Sequence, residues 1–144
     1  MSLFVLNLLM CLVIGFLAVT LFILKPAEQD AHMLDSKRIQ DIKLIANAFG
    51  QYLYFNNGKL PENTSATPRE ISYAAVDLCS ILLPDYLITL PADPLSRSPG
   101  ITAPCPEGYL TGYFIKINGD NSFTVSAVST VNKQLSETRK IRAK

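Results

Sequence analysis

The first 24 residues carry no charged side chain. Within them, Leu3 to Leu24 forms a run in which only Asn7 and Thr20 are distinctly polar. As a helix rising about 1.5 Å per residue, this run reaches about 33 Å, enough to cross a hydrocarbon core of roughly 30 Å. All 13 basic and 12 acidic residues lie beyond it. The overall charged fraction of 17% is therefore the average of an apolar head and an ordinary globular body. This asymmetry argues against a wholly soluble protein, a multi-pass transporter and a disordered chain. A cleaved secretory signal is the main rival to a retained membrane helix. It needs a basic n-region, a shorter apolar core and a small-x-small cleavage site. No Lys or Arg precedes Leu3, and the apolar run is too long. Cys11 is read as one more apolar helix residue.

Beyond the head, Pro26 removes a backbone donor and clashes with the preceding turn, so a kink is expected near Leu24–Pro26. The helical period then resumes. Leu34, Ile42, Ile45, Phe49 and Tyr52/Leu53 fall on one face, with charges expected on the other. Lys37/Asp41 and Asp35/Arg38 are spaced as surface ion pairs worth a few tenths of a kcal/mol each. Asn57-Gly58 supplies a left-handed stop and Pro61 forbids resumption. The expectation is one long helix over residues 2–56, about 80 Å from end to end.

Thr67-Pro68-Arg69-Glu70 fits a capping box, and Ile71, Ala75, Leu78 and Leu82 make a helical stripe. A second short helix is expected over 68–83, ending at Pro84. A proline-rich loop follows, from Pro84 to Pro106. Tyr109–Ile117 and Ser122–Val128 then alternate around Asn118-Gly119-Asp120-Asn121, a hairpin signal. The turn explains those four residues through their tolerance of positive φ; a cation loop is the alternative. The expected fold class is α+β: a long N-terminal helix, half transmembrane and half amphipathic, packed with the short helix on a small antiparallel sheet. The expected segments are 1–24 (transmembrane and assembly), 25–132 (globular) and 133–144 (a basic flexible tail). That tail holds five basic residues against Glu137, whereas the rest of the chain is net acidic.

Catalytic signals are missing from the sequence. It contains no nucleophile elbow, no P-loop and no zinc spacing. The lone histidine, His32, sits on a polar helical stretch and is expected at the surface. Three cysteines are too few for an all-thiolate zinc site. Asn63-Thr64-Ser65 matches a short glycosylation sequon. No aromatics interleave with the basic tail in sequence, so nucleic acid is not an expected partner. No enzyme activity, cofactor or metal is expected.

Four segments carry a family resemblance. Lys25-Pro-Ala-Glu-Gln29 with Asp35-Ser-Lys-Arg-Ile-Gln-Asp-Ile42 is similar to the stretch that leaves the membrane helix in bacterial prepilin-type proteins. Ile45-Ala-Asn-Ala-Phe49, Tyr52 and Asn57-Gly-Lys-Leu-Pro61 resemble the end of their long helix. Leu83-Pro-Asp-Tyr-Leu87 with Leu90-Pro-Ala-Asp-Pro94 resembles their proline-rich loop, and Gly112-Tyr-Phe-Ile115 with Asn121-Ser-Phe-Thr-Val-Ser-Ala127 their late hairpin. The order and spacing over residues 1–128 resemble the type IV pilin and type II secretion pseudopilin superfamily. The resemblance implies a pilin-like fold and a structural subunit of a type IV pilus-like or pseudopilus-like filament. It would be held in the inner (cytoplasmic) membrane as a single-pass protein, its globular domain outside the cytoplasm.

The implied partners are homologous pilin-like subunits, met through the N-terminal helix, the membrane, and an inner-membrane assembly platform. The assembly segment would present Leu3, Asn7, Gly15, Thr20 and Leu24, with Asn7 offering an interhelical hydrogen bond. Counting Lys25, Lys37, Arg38 and Lys43 by the positive-inside rule points the other way, placing the globular part in the cytoplasm. Family precursors carry a basic leader ending in glycine and a glutamate five residues into the mature chain. Aligned on Pro26, those features fall before Met1 and at Val5. Either a leader lies upstream of Met1, or the chain is an atypical minor subunit like the K-type minor pseudopilins at filament tips. An extracytoplasmic domain makes a Cys79–Cys105 disulfide the favoured state, with two buried thiols as the alternative. The competing class is a single-pass anchored binding or accessory protein that never polymerises.

Overall fold

The computed structural model describes residues 3–24, 26–96, 98, 100–131 and 134–142, and over 21–24 and 26–28 the backbone alone. Its elements are helices α1 (Leu3–Leu24) and α2 (Pro26–Phe55), strand β1 (Arg69–Ser72), the single-turn helix α3 (Cys79–Leu82), and strands β2 (Leu110–Asn118), β3 (Ser122–Ala127) and β4 (Leu135–Lys140). The chain divides into two compact units, Met1–Met33 and Leu34–Lys144. The boundary falls inside α2, later than the expected 24/25 junction, because the buried face of α2 begins only at Asp35. Lys25, between the two helices, lies outside the described residues, and so does the kink expected there.

In the first unit, every residue of α1 from Leu3 to Val19 is exposed, large apolar side chains included. In the second, the C-terminal half of α2 buries Ile42, Ile45, Ala46, Phe49 and Leu53 almost completely. The helix stops as the sequence requires. Asn57 and Gly58 take φ of 54° and 74°, and the Gly58 N–H donates to the Leu53 carbonyl at 2.7 Å.

The buried face of α2 lies on one antiparallel sheet with its four strands in chain order, β1-β2-β3-β4. The expected hairpin is present, with Tyr113 opposite Ala127 and Ile117 opposite Phe123. Alternation along each strand sends Tyr113, Ile115, Phe123, Val125 and Ala127 to the core side. There Phe123 meets Phe49 edge-on, ring centroids 4.9 Å apart.

Three expectations are corrected. The expected helix over 68–83 is replaced by a strand, a bent stretch and one helical turn: β1 pairs with β2, Arg69 opposite Ile115 and Glu70 opposite Phe114, and only Cys79–Leu82 turns helically. The stripe residues Ile71, Leu78 and Leu82 are buried as one helical face would be, but they lie on three different elements: β1, the loop before α3, and α3. The capping residues serve a local turn, in which the Ser65 hydroxyl accepts the Thr67 N–H at 2.9 Å. The sheet edge decides the outcome, because pairing with β2 satisfies the backbone of 69–72 that a helix would otherwise have to satisfy. Second, the basic tail is not a free segment. Residues 135–140 form β4 against β3, with Thr138 opposite Thr124, while residues 132, 133, 143 and 144 lie outside the described residues. Third, the charges of α2 do not all face solvent: Asp35, Arg38 and Asp41 lie on its buried face.

Candidate functional site

Two features of the structure stand out for function: the bare apolar surface of α1 and a buried polar clasp on α2.

On α1, the expected assembly residues Leu3, Asn7 and Gly15 are exposed and Thr20 is half-buried. A Cβ placed on Gly15 would meet nothing within 4 Å, so the backbone there is open to close approach by another helix. The Thr20 hydroxyl donates within its own helix to the Phe16 and Leu17 carbonyls (3.0 and 2.9 Å). Leu24 and Pro26 are helical, their side chains outside the described residues. The window Leu3–Thr20 has a mean hydropathy of 2.6, long and apolar enough to span a membrane.

The clasp centres on Arg38, which is 4% exposed. Its guanidinium grips Asp93 with two bonds, Nε to Oδ2 at 2.7 Å and Nη2 to Oδ1 at 3.0 Å. It also reaches Asp35 at 2.9 Å and the Thr130 hydroxyl. Asp35 accepts in addition from the Ser129 hydroxyl and from the Thr130 N–H. One turn of α2 is thereby tied to the proline-rich loop and to the segment after β3.

The donors set the protonation states. Hydrogen bonds from Ser129 and from the Thr130 backbone hold the Asp35 carboxyl well below the usual carboxylate range. Burial opposes ionisation of Asp93, but the Arg38 hydrogen bonds and the Leu95 N–H outweigh it, so its pKa is lowered too. Arg38 is raised by its hydrogen bonds to Asp93 and Asp35 against the cost of burial. The backbone accommodates the clasp at Gly112, which has φ of 74° and whose missing Cβ would stand 3.0 Å from the Asp93 Cβ. Next to the clasp, the Tyr113 hydroxyl donates to Asp41 Oδ2 at 2.8 Å, and burial, reinforced by that carboxylate, pushes the phenol pKa up. Each of these charges is answered by a partner, and the bonds join α2 to two distant segments of the chain. It is a fastening.

Cys79 and Cys105 are bonded, with Cα atoms 5.9 Å apart. The loop they close is tied across by the Leu90–Ile101 bridge. Beside the disulfide, the Tyr109 hydroxyl accepts from the Cys79 N–H and donates to Asp77 (3.1 and 2.7 Å). His32 is exposed. The residues Asn118–Asn121 form a turn, with Asn121 at φ of 57°. Asp120 is engaged by Lys140 at 2.8 Å. No group of three or more metal-ligating His, Cys, Asp or Glu side chains occurs among the described residues.

Sequence reasoning placed the disulfide pair and both α2 ion pairs but missed the clasp. A signal was present: Asp35 and Arg38 continue the helical spacing of Ile42, Ile45 and Phe49, so the period itself puts them on the buried face. Asp93, Ser129 and Thr130 carried no such signal. No protein-family model, curated protein or solved structure matches this chain.

Proposed function

We propose that this chain is a structural subunit of a membrane-stored filament of the type IV pilus or type II pseudopilus kind, anchored by α1 with Leu34–Lys144 outside the cytoplasm. The observation that carries the reading is the surface of the 22-residue helix α1, whose large apolar side chains are exposed from Leu3 to Val19. Such a surface needs lipid or other helices around it. In lipid, apolar side chains alone do not drive helices together; small residues and interhelical hydrogen bonds do. Gly15 and Asn7 supply one of each. Leaving the bilayer, the same surface would be covered by neighbouring subunits in a filament core. The Cys79–Cys105 bond supports an extracytoplasmic domain, since disulfides persist in oxidising compartments. Its partners would be homologous subunits and the inner-membrane assembly platform. With Val5 where the family carries a glutamate, the chain would be a low-copy or initiating subunit.

The test is fractionation of source cells into sheared filaments and membranes, followed by quantification of this chain in each. The expected result is recovery from membranes and, at a few copies per filament, from the filament fraction. Confinement to the membrane fraction would sink the filament reading in favour of a non-polymerising anchor. An abundant, evenly repeated copy would sink the low-copy claim.

A further inference from the structure

β4 is an edge strand: the sheet ends there, and its outer rim faces no other strand among the described residues. Its pairing with β3 shows which backbone groups that rim carries. The Ile141 N–H donates to the Asn121 carbonyl, so Asn121 and Ile141 are a hydrogen-bonded pair. Antiparallel pairs alternate, and Arg139, Glu137 and Leu135 therefore spend their N–H and C=O groups on Phe123, Val125 and Ala127. Ser136, Thr138 and Lys140 point theirs outward, and all three residues are exposed.

The side chains along that strand place opposite charges on either side of a central threonine. From Leu135 to Ile141 the order is apolar, polar, acid, threonine, base, base, apolar, with Thr138 at the centre. We propose that β4 is an interface between two copies of this chain, in which the two edges pair antiparallel about a two-fold axis at Thr138 and join the two sheets into one. In that register Glu137 faces the other copy's Arg139 and Arg139 its Glu137. Thr138 faces Thr138, Ser136 faces Lys140 and Leu135 faces Ile141. Every one of these is a favourable or neutral cross-strand pair. Glu137 and Arg139 fall at non-hydrogen-bonded positions, where opposing Cα atoms come within about 4.5 Å and side chains approach most closely.

The neighbouring symmetric registers are worse. Moving the axis by one residue sets Glu137 against Glu137 or Arg139 against Arg139. Moving it to Lys140 sets that lysine against itself. Charges on an edge strand ordinarily guard it from pairing; here they oppose those three registers and favour the one about Thr138. Within its own strand Arg139 Nη2 reaches Glu137 at 3.0 Å, and both side chains keep exposed surface for a partner across the edge. A two-fold contact is self-complementary and closes on itself. It therefore cannot extend a filament, and it stands independently of the helix-mediated assembly proposed above.

The test is cysteine cross-linking of the full chain in detergent micelles, with Cys11→Ser so that the introduced thiol is the only free one. Thr138→Cys places two thiols on residues whose Cα atoms are about 5.5 Å apart, within disulfide reach. Ser136→Cys places them roughly 13 Å apart, four residues out of register. The expected result is at least about tenfold more disulfide dimer from Thr138→Cys than from Ser136→Cys. Adding Glu137→Arg should cut that yield about tenfold, and Glu137→Arg with Arg139→Glu should restore it. Equal cross-linking at 136 and 138, which association through α1 alone would give, overturns the proposal. So does a Thr138→Cys yield that ignores Glu137→Arg, or that the charge exchange fails to restore.

Discussion

Removing the Arg38 guanidinium should be among the most damaging single changes in the globular unit. Arg38→Ala deletes both bonds to Asp93, the bond to Asp35 and the bond to Thr130, and leaves the Asp93 carboxylate, 13% exposed, without its cation. Breaking a buried ion pair on one side costs about 3–5 kcal/mol, because the remaining charge stays desolvated. With a urea slope of about 1.5 kcal/mol/M for a domain of this size, the midpoint should fall by about 2–3 M. The control is Lys140→Ala. Lys140 also pairs with an aspartate, Asp120, but the two side chains are 65% and 60% exposed. Screening limits such a pair to about 1 kcal/mol or less, so the midpoint should move by under about 0.7 M. The assay is urea unfolding of the full chain in detergent, followed by near-ultraviolet circular dichroism. The six tyrosines report tertiary packing without interference from tryptophan, of which there is none. α1, which contains no tyrosine, stays silent. Equal shifts for Arg38→Ala and Lys140→Ala would refute the reasoning, which makes burial of the stranded carboxylate decide the cost.

Two further outcomes follow from the same unit. Asp35 and Asp93 both have folded pKa values below their unfolded ones, so the stability they contribute is present above about pH 4 and is lost as pH falls through the folded values. The urea midpoint should therefore hold between pH 7 and 5 and drop from pH 4 to 3, and Arg38→Ala should remove only the Asp93 part of that drop, since Ser129 and Thr130 still hold Asp35; an unchanged midpoint at pH 3 would contradict it. Reducing the Cys79–Cys105 bond, which links residues 26 apart, should cost about 3.5 kcal/mol by loop-closure entropy, read as a lowered midpoint in dithiothreitol.

Much of the architecture was legible because it rests on local rules. A hydrophobic period of 3.6 identifies a buried helical face without any partner being known, and Ile42, Ile45, Phe49 and Leu53 are all on it. Positive φ at Asn57 and Gly58 follows from the chemistry of those two residues. The hairpin of β2 and β3 follows from alternation around a turn of four permissive residues. The candidate site was half legible. The uncharged span of α1 can be read directly, but the clasp needs Asp93 and Thr130, which are 55 and 92 residues from Arg38 along the chain.

Where the reading failed, non-local pairing overrode a local preference. Residues 69–72 carry a helix-start pattern, yet the open edge of β2 binds their backbone as a strand. Residues 135–140 look like a solvated basic tail, yet β3 needs a neighbour and their alternation supplies one. By itself the sequence determined the membrane-length helix, the amphipathic face that follows it and the turns, because each depends on residues within a turn or two of one another. Only the tertiary structure decided which backbone completes the sheet, which cation is buried between which carboxylates, and that the last strand leaves a self-complementary edge. Those outcomes depend on which distant segments meet, and no window along the chain contains both partners.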